Sequence, residues 1–117
     1  MAERLGFASS DRVLILNADD VGSTHAANTA AFECLEHGSL TSASILVPAA
    51  WFREVAGYAR EHPEANFGIH LTLTCEYDPY RWRALTDRSA APGLYDEEGF
   101  LWRTTTEAVE HISAEEA

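Results

Sequence analysis

Val13-Leu14-Ile15-Leu16-Asn17-Ala18-Asp19-Asp20-Val21-Gly22 is the stretch that decides the fold. Its first four residues form an unbroken apolar run. That pattern fits a strand buried on both faces, as in a parallel sheet covered by helices. Two adjacent carboxylates stand where the strand should end. Gly22 permits a turn, and Ser23 or Thr24 can cap the helix that follows. In α/β folds, ligands bind at the carboxyl ends of parallel strands. The first structural unit therefore aims two acids at a cleft. Adjacent side chains in a strand point to opposite faces, so both acids reach one cleft only if the strand has bent at the pair. The alternative is that one acid caps the helix while the other is solvated.

Working outward, residues 1–11 are polar and read as a flexible N-terminus, and 12–117 as a single α/β domain that is incomplete at its C-terminus. The first strand is expected over Arg12 to Ala18. A helix from His25 to His37 follows, with Ala26, Ala30, Ala31, Cys34 and Leu35 on its inner side and Gly38 ending it. Thr41 to Val47 reads as the second strand, stopped by Pro48. A second helix covers Ala50 to Glu61. Trp51, Val55 and Ala59 would face inward, and Arg53, Glu54, Arg60 and Glu61 would face water. Asn66 to Thr72 is the third strand. Thr74 to Phe100 has no clean period and reads as a long loop with short pieces of structure. Thr104 to Glu116 reads as a last helix, capped at Thr104 to Thr106.

The order β-α-β-α-β-loop-α implies right-handed βαβ units in a parallel sheet. Strands 1 and 3 can then be near neighbours, and a barrel rim would bring their ends together. The fold class is α/β: parallel βαβ units forming the first part of a (β/α) barrel-like fold. A closed barrel takes roughly 250 residues, and this chain has 117. Its open sheet edges favour a homo-oligomer.

The formal net charge is −11, and all eight basic side chains are Arg. An acidic chain without a basic stripe argues against nucleic acid and anionic membrane surfaces as partners. No stretch approaches the ~20 apolar residues of a membrane span, and residues 1–6 lack the apolar core of a signal peptide. A cytoplasmic location is the expectation. Cys34 and Cys75 have no metal-knuckle spacing and read as ordinary thiols.

His70 is the second chemical element, near the end of the third strand within Gly68-Ile69-His70-Leu71. A carboxylate and an imidazole at one rim begin a metal site, since catalytic zinc takes about three His, Asp or Glu ligands. A buried histidine bonded to a backbone carbonyl is the alternative. The aromatics Tyr77, Tyr80, Trp82, Tyr95, Phe100 and Trp102 can form a sugar-stacking rim. For most of them, packing of the loop onto the sheet is the simpler role. Glu76, Asp78 and Asp87 read as solvated.

Asn17-Ala18-Asp19-Asp20-Val21-Gly22, Gly38-Ser39-Leu40-Thr41-Ser42 and Gly68-Ile69-His70-Leu71 resemble the opening motifs of the YdjC-like carbohydrate deacetylases, which include chitooligosaccharide deacetylases. Val47-Pro48, Trp51-Phe52, Tyr80-Arg81-Trp82 and Asp96 to Trp102 extend the likeness across most of the chain. The resemblance implies a metal-dependent hydrolase that removes N-acetyl groups from amino-sugar carbohydrates. It places Asp19 as the general base, Asp20 and His70 as ligands of a divalent metal ion (zinc or magnesium), and an N-acetylated oligosaccharide as substrate. The family has a further HxDxHxH-like motif downstream for another ligand and the general acid. That motif does not occur here, and His111 does not match it. Val21 and His25 also depart from the family pattern.

Two other readings compete. One is a catalytically incomplete fragment or oligomerisation module of the same scaffold. The other is a phosphoacceptor signalling domain, which needs an acceptor Asp after strand 3 and a Lys later; His70 and the absence of Lys nearly exclude it.

Overall fold

The sheet is parallel and three-stranded, as the alternation of strands and helices requires. A computed structural model describes residues 2–117. The strands are β1 (Asn17–Val21), β2 (Ser42–Ile45) and β3 (Phe67–Ile69), in spatial order β1-β2-β3. The helices are α1 (His25–Glu36), α2 (Phe52–Glu61) and α3 (Thr105–His111). β1 pairs with β2 through Asn17↔Ser42 and Ala18↔Ala43, and β2 with β3 through Ala43↔Phe67 and Ser44↔Gly68. β1 and β3 are therefore not direct neighbours, and β2 lies between the two strands expected to share a rim.

The apolar run Val13 to Leu16 is not a strand buried on both faces. It precedes β1, and Leu14 and Ile15 are 72% and 73% exposed. The reason is register. β2 begins only at Ser42, so residues before Leu16 run past the end of their partner strand. Leu16 is the last to be tied, accepting from the Thr41 backbone N–H at 2.9 Å. The strand lies later than the hydrophobicity pattern places it and contains both acids.

Alternation sorts the sheet into two faces. Ala18, Val21, Ala43 and Ile45 pack against Ala31, Phe32 and Leu35 of α1 and Phe52 and Val55 of α2. Asn17 and Asp19 of β1, with Ser42 and Ser44 of β2, occupy the other face, which is open. One side of the sheet is core and the other is polar.

The buried side of α1 holds Ala31 and Leu35 as expected but is rotated away from Ala26 and Ala30. Ala26 and Ala30 are exposed, and the inner stripe is Asn28, Ala31, Phe32 and Leu35. A polar side chain turns inward because it has backbone to satisfy, as described below. Gly38 does end the helix as a C′ glycine, at φ +71°. The Ser39 N–H bonds to Cys34 O at 2.8 Å and the Gly38 N–H to Leu35 O at 3.2 Å, which is the Schellman pattern. On α2, Trp51 sits at the N-cap position and is exposed, so Phe52, Val55 and Tyr58 carry the packing. Tyr58 stacks on Phe32 with ring centroids 3.9 Å apart, joining the two helices.

The segment after β3 builds a core of its own. Cys75, Trp82, Ala91, Leu94, Tyr95 and Leu101 cluster with Leu46 and Ala49 at the end of β2. Isolated bridges pair Thr74 with Trp102 and Tyr95 with Leu101. Trp82 and Tyr95 are thus packing residues, and Tyr77 stays exposed. α3 is shorter than its sequence pattern, and it opens on a full capping box in which Thr104 and Glu107 bond reciprocally.

Candidate functional site

Both acids lie on β1, at an irregularity in the ladder. The register shifts between Ala18 and Val21. Asp20 takes φ +57°, the left-handed region that non-glycine residues rarely enter. That bend answers the question of how neighbouring side chains reach one side: the chain turns at Asp20 itself. Asp19 keeps its place on the open polar face, and Asp20 is swung toward β3.

The turn is held from behind by Asn28, the one buried polar residue among the described residues. Its Oδ1 accepts the Gly22 N–H at 2.7 Å. Its Nδ2 donates to Glu54 Oε2 at 2.7 Å and to Trp51 O at 3.2 Å. Glu54 in turn meets His25 Nδ1 at 2.8 Å. Glu54 therefore does not simply face water: it ties α2 to α1 through Asn28. The Asn28 and His25 hydrogen bonds hold its carboxyl below the ordinary range, with Asn28 the larger cause.

His70 follows directly after β3, its N–H bonded to Ile45 O at 3.0 Å. It is not bonded to a carbonyl through its ring. His70 Nε2 is 3.4 Å from Asp20 Oδ1, and Nδ1 is 3.9 Å from Asp19 Oδ1. Between them stands Ser44, from the middle strand. Ser44 Oγ lies 2.8 Å from Asp19 Oδ1 and 3.0 Å from His70 Nδ1. The sequence-predicted residues Asp19, Asp20 and His70 are thus brought together, and the residue that links them was missed. Its signal was present in Ser42-Ala43-Ser44-Ile45, where hydroxyls alternate with apolar residues along one strand.

Asn17 extends the polar row. Its Nδ2 donates to Asp19 Oδ1 at 2.7 Å, and its Oδ1 accepts from Ser42 Oγ at 2.6 Å. The Ser44 and Asn17 hydrogen bonds, in that order, hold the Asp19 carboxyl below its usual value, and His70 adds to this only when its ring is protonated. Both donors use Oδ1, which leaves Oδ2 of an exposed carboxylate for another partner.

A small cavity of about 40 Å³ opens beside the pair, lined by Asp20, His70, Thr72, Thr74, Glu76 and Trp82. Glu76, expected to be merely solvated, borders this cavity while staying exposed. Among the described residues no third His, Cys, Asp or Glu joins Asp20 and His70 in a group able to hold a metal ion. His111 is elsewhere, stacked on Trp102 at 3.9 Å between ring centroids. No helix among the described residues is long and apolar enough to cross a membrane.

The chain is similar to known proteins in sequence and in fold. Over 110 residues the chain is 39% identical to a protein named carbohydrate deacetylase from Thermus thermophilus, covering 88% of this chain and 36% of the relative. It is 40% identical over 62 residues to a chitooligosaccharide deacetylase of Proteus mirabilis, covering 53% of this chain and 24% of the relative. The crystal structure of a proposed cellobiose-phosphate cleavage protein from Enterococcus faecalis superposes with TM-score 0.75 at 33% identity. That match covers 92% of this chain and 40% of that one. The chain thus spans about a third of the length of such relatives. A model of the YdjC-like protein family matches residues 13–117, and the chain belongs to that family.

Proposed function

We propose that this chain carries the base and two metal ligands of a carbohydrate N-deacetylase that hydrolyses acetamide groups on an amino-sugar oligosaccharide. The observation that carries the reading is the placement of Asp20 Oδ1 3.4 Å from His70 Nε2. That is longer than an ordinary N–H···O bond. Two donor atoms that face each other at that spacing would both serve as ligands of one divalent ion. The donor set, one carboxylate oxygen and one imidazole nitrogen, suits a divalent ion such as zinc, and magnesium less well because of the nitrogen. Names of the relatives support the substrate class.

Asp20 and His70 would hold the ion, which when bound would polarise the acetamide carbonyl and acidify water. Asp19 does the proton work. Like any exposed aspartate it is ionised at neutral pH, and it accepts a proton at Oδ2 while Asn17 and Ser44 hold Oδ1. Such a carboxylate is a weak base, so it works only on water that is already acidic. Thr72, Thr74 and Glu76 line the small cavity beside Asp20 and His70. A second reading, an incomplete piece of the same scaffold, is favoured by the two-ligand set and the one-third coverage.

Calorimetry with zinc tests the metal assignment. One ion per chain is expected, weakened at least tenfold in Asp20→Ala and in His70→Ala. Binding that both variants leave unchanged would sink it. Acetate release from N-acetylated chitooligosaccharides, lost in Asp19→Asn, separates an active chain from an incomplete one.

A further inference from the structure

We infer that Ser44 is a positioning residue that fixes the tautomer of His70, leaving the Nε2 lone pair free to face Asp20. Four acceptor-bearing groups lie in a row: Asp19 Oδ1, Ser44 Oγ, the His70 ring and Asp20 Oδ1. Three gaps separate them, of 2.8, 3.0 and 3.4 Å. A neutral serine and a neutral imidazole bring two protons to these three gaps. A carboxylate only accepts, so the Ser44 hydroxyl proton must lie in the 2.8 Å gap; without it two oxygens would face each other unscreened. Ser44 Oγ is then free to accept, and the 3.0 Å gap requires the proton on His70 Nδ1. The longest gap is the one left without a proton.

The reverse tautomer fails on the same count. A proton on Nε2 would serve Asp20, but Ser44 would then have one proton for two acceptors, Asp19 and Nδ1. One of the two short contacts would become repulsive. The distances select the first arrangement: the protons fall where the contacts are short. Asp19 cannot do this directly, because its Oδ1 is 3.9 Å from His70 Nδ1. The middle strand is therefore necessary. Ser44 pairs with Gly68 across β2 and β3, and Ser42 with Asn17 across β1 and β2, so the ladder register itself brings the hydroxyl between the two side strands. Imidazole ligands of metals commonly donate their second N–H to such a partner, which orients the ring.

The tautomer stands on these contacts alone, and its consequence for metal binding rests on the functional reading above. Ring nitrogen chemical shifts of ¹⁵N-histidine-labelled chain, recorded without metal at a pH where the ring is neutral, test it. The wild-type chain is expected to show His70 with Nδ1 protonated, Ser44→Ala to move toward Nε2 protonated, and Ser44→Thr to keep the wild-type shifts. Backbone amide spectra verify that each variant is folded. Wild-type shifts in a folded Ser44→Ala chain, or failure of a folded Ser44→Thr chain to preserve them, would overturn the assignment. In a second arm, zinc affinity falls 10- to 100-fold in Ser44→Ala and recovers in Ser44→Thr. A wild-type chain that shows the Nδ1–H tautomer but takes up no zinc defeats the metal reading and leaves the Ser44 assignment intact.

Discussion

Asn28 Oδ1 accepts the Gly22 backbone N–H at 2.7 Å, so a helix side chain closes the turn that follows the two acids. The bond is buried, and both Asn28 amide hydrogens are used as well, on Trp51 O and Glu54 Oε2. Removing the side chain strands a buried N–H and leaves Glu54 Oε2 without its donor. Asn28→Ala is expected to cost about 2–3 kcal/mol, more than an ordinary hydrogen bond is worth, because an unsatisfied buried group bears its full desolvation cost. Urea unfolding measures it. A loss under ~0.5 kcal/mol would show that the turn closes without Asn28.

Gly22 itself is constrained twice. It takes φ +109°, and an added Cβ would stand 3.1 Å from Leu46 O. Gly22→Ala should destabilise the chain by about 1–3 kcal/mol through backbone strain. Gly57→Ala in α2, where an added Cβ meets nothing within 4 Å, should be neutral or stabilising. Comparing the two by thermal melts separates strain from a general effect of adding a methyl group.

Arg81 anchors the segment after β3. Its side chain is 7% exposed, with Nη1 2.7 Å from Asp96 Oδ2 and Nη2 2.6 Å from Leu101 O. The Nε is buried without a hydrogen-bond partner, the cost of placing a guanidinium there. Arg81→Met leaves Asp96 as a half-buried charge and should cost about 3 kcal/mol. Removing both partners, Arg81→Met with Asp96→Asn, should cost less than the single change.

Asp96 also sets an acid limit. Burial pushes its carboxyl up, but the Phe100 N–H, the Arg81 guanidinium and the Glu98 N–H outweigh burial and hold it below the ordinary range. A folded value lower than the unfolded one means the contribution is complete above the unfolded value of about 4 and is lost as pH falls through the folded value. Wild-type stability should therefore drop below about pH 4, and Asp96→Asn should flatten that part of the profile. Denaturation followed by tryptophan fluorescence at descending pH tests it. Equal slopes would remove Asp96 from the acid response.

Exposure of the apolar run gives an independent check on the register. Leu14 and Ile15 are more than 70% exposed, whereas Val55 is fully buried. Leu14→Ser and Ile15→Ser should each change stability by less than about 0.5 kcal/mol, and Val55→Ala by about 1–3. A large loss at Ile15 would restore the longer buried strand.

Much was determined by the sequence alone. The alternation of strand and helix patterns sets the parallel sheet, Gly38 ends α1 with a Schellman turn, and Thr104 with Glu107 spells the capping box. These are local rules, in which a residue's neighbours along the chain decide its conformation. Asp19, Asp20 and His70 stood out in the sequence as a carboxylate pair and an imidazole beside short apolar runs. Tertiary structure decided the rest. Strand order put β2 between β1 and β3, which made Ser44 the link between Asp19 and His70. Register left Val13 to Ile15 beyond their partner strand, so hydrophobicity there did not mean burial. Asn28 turned inward against the alanine pattern because the Gly22 N–H, six residues earlier, needed an acceptor. In each case the deciding partner lies on another element, and a hydrogen bond across elements leaves no periodic trace in the sequence of either one.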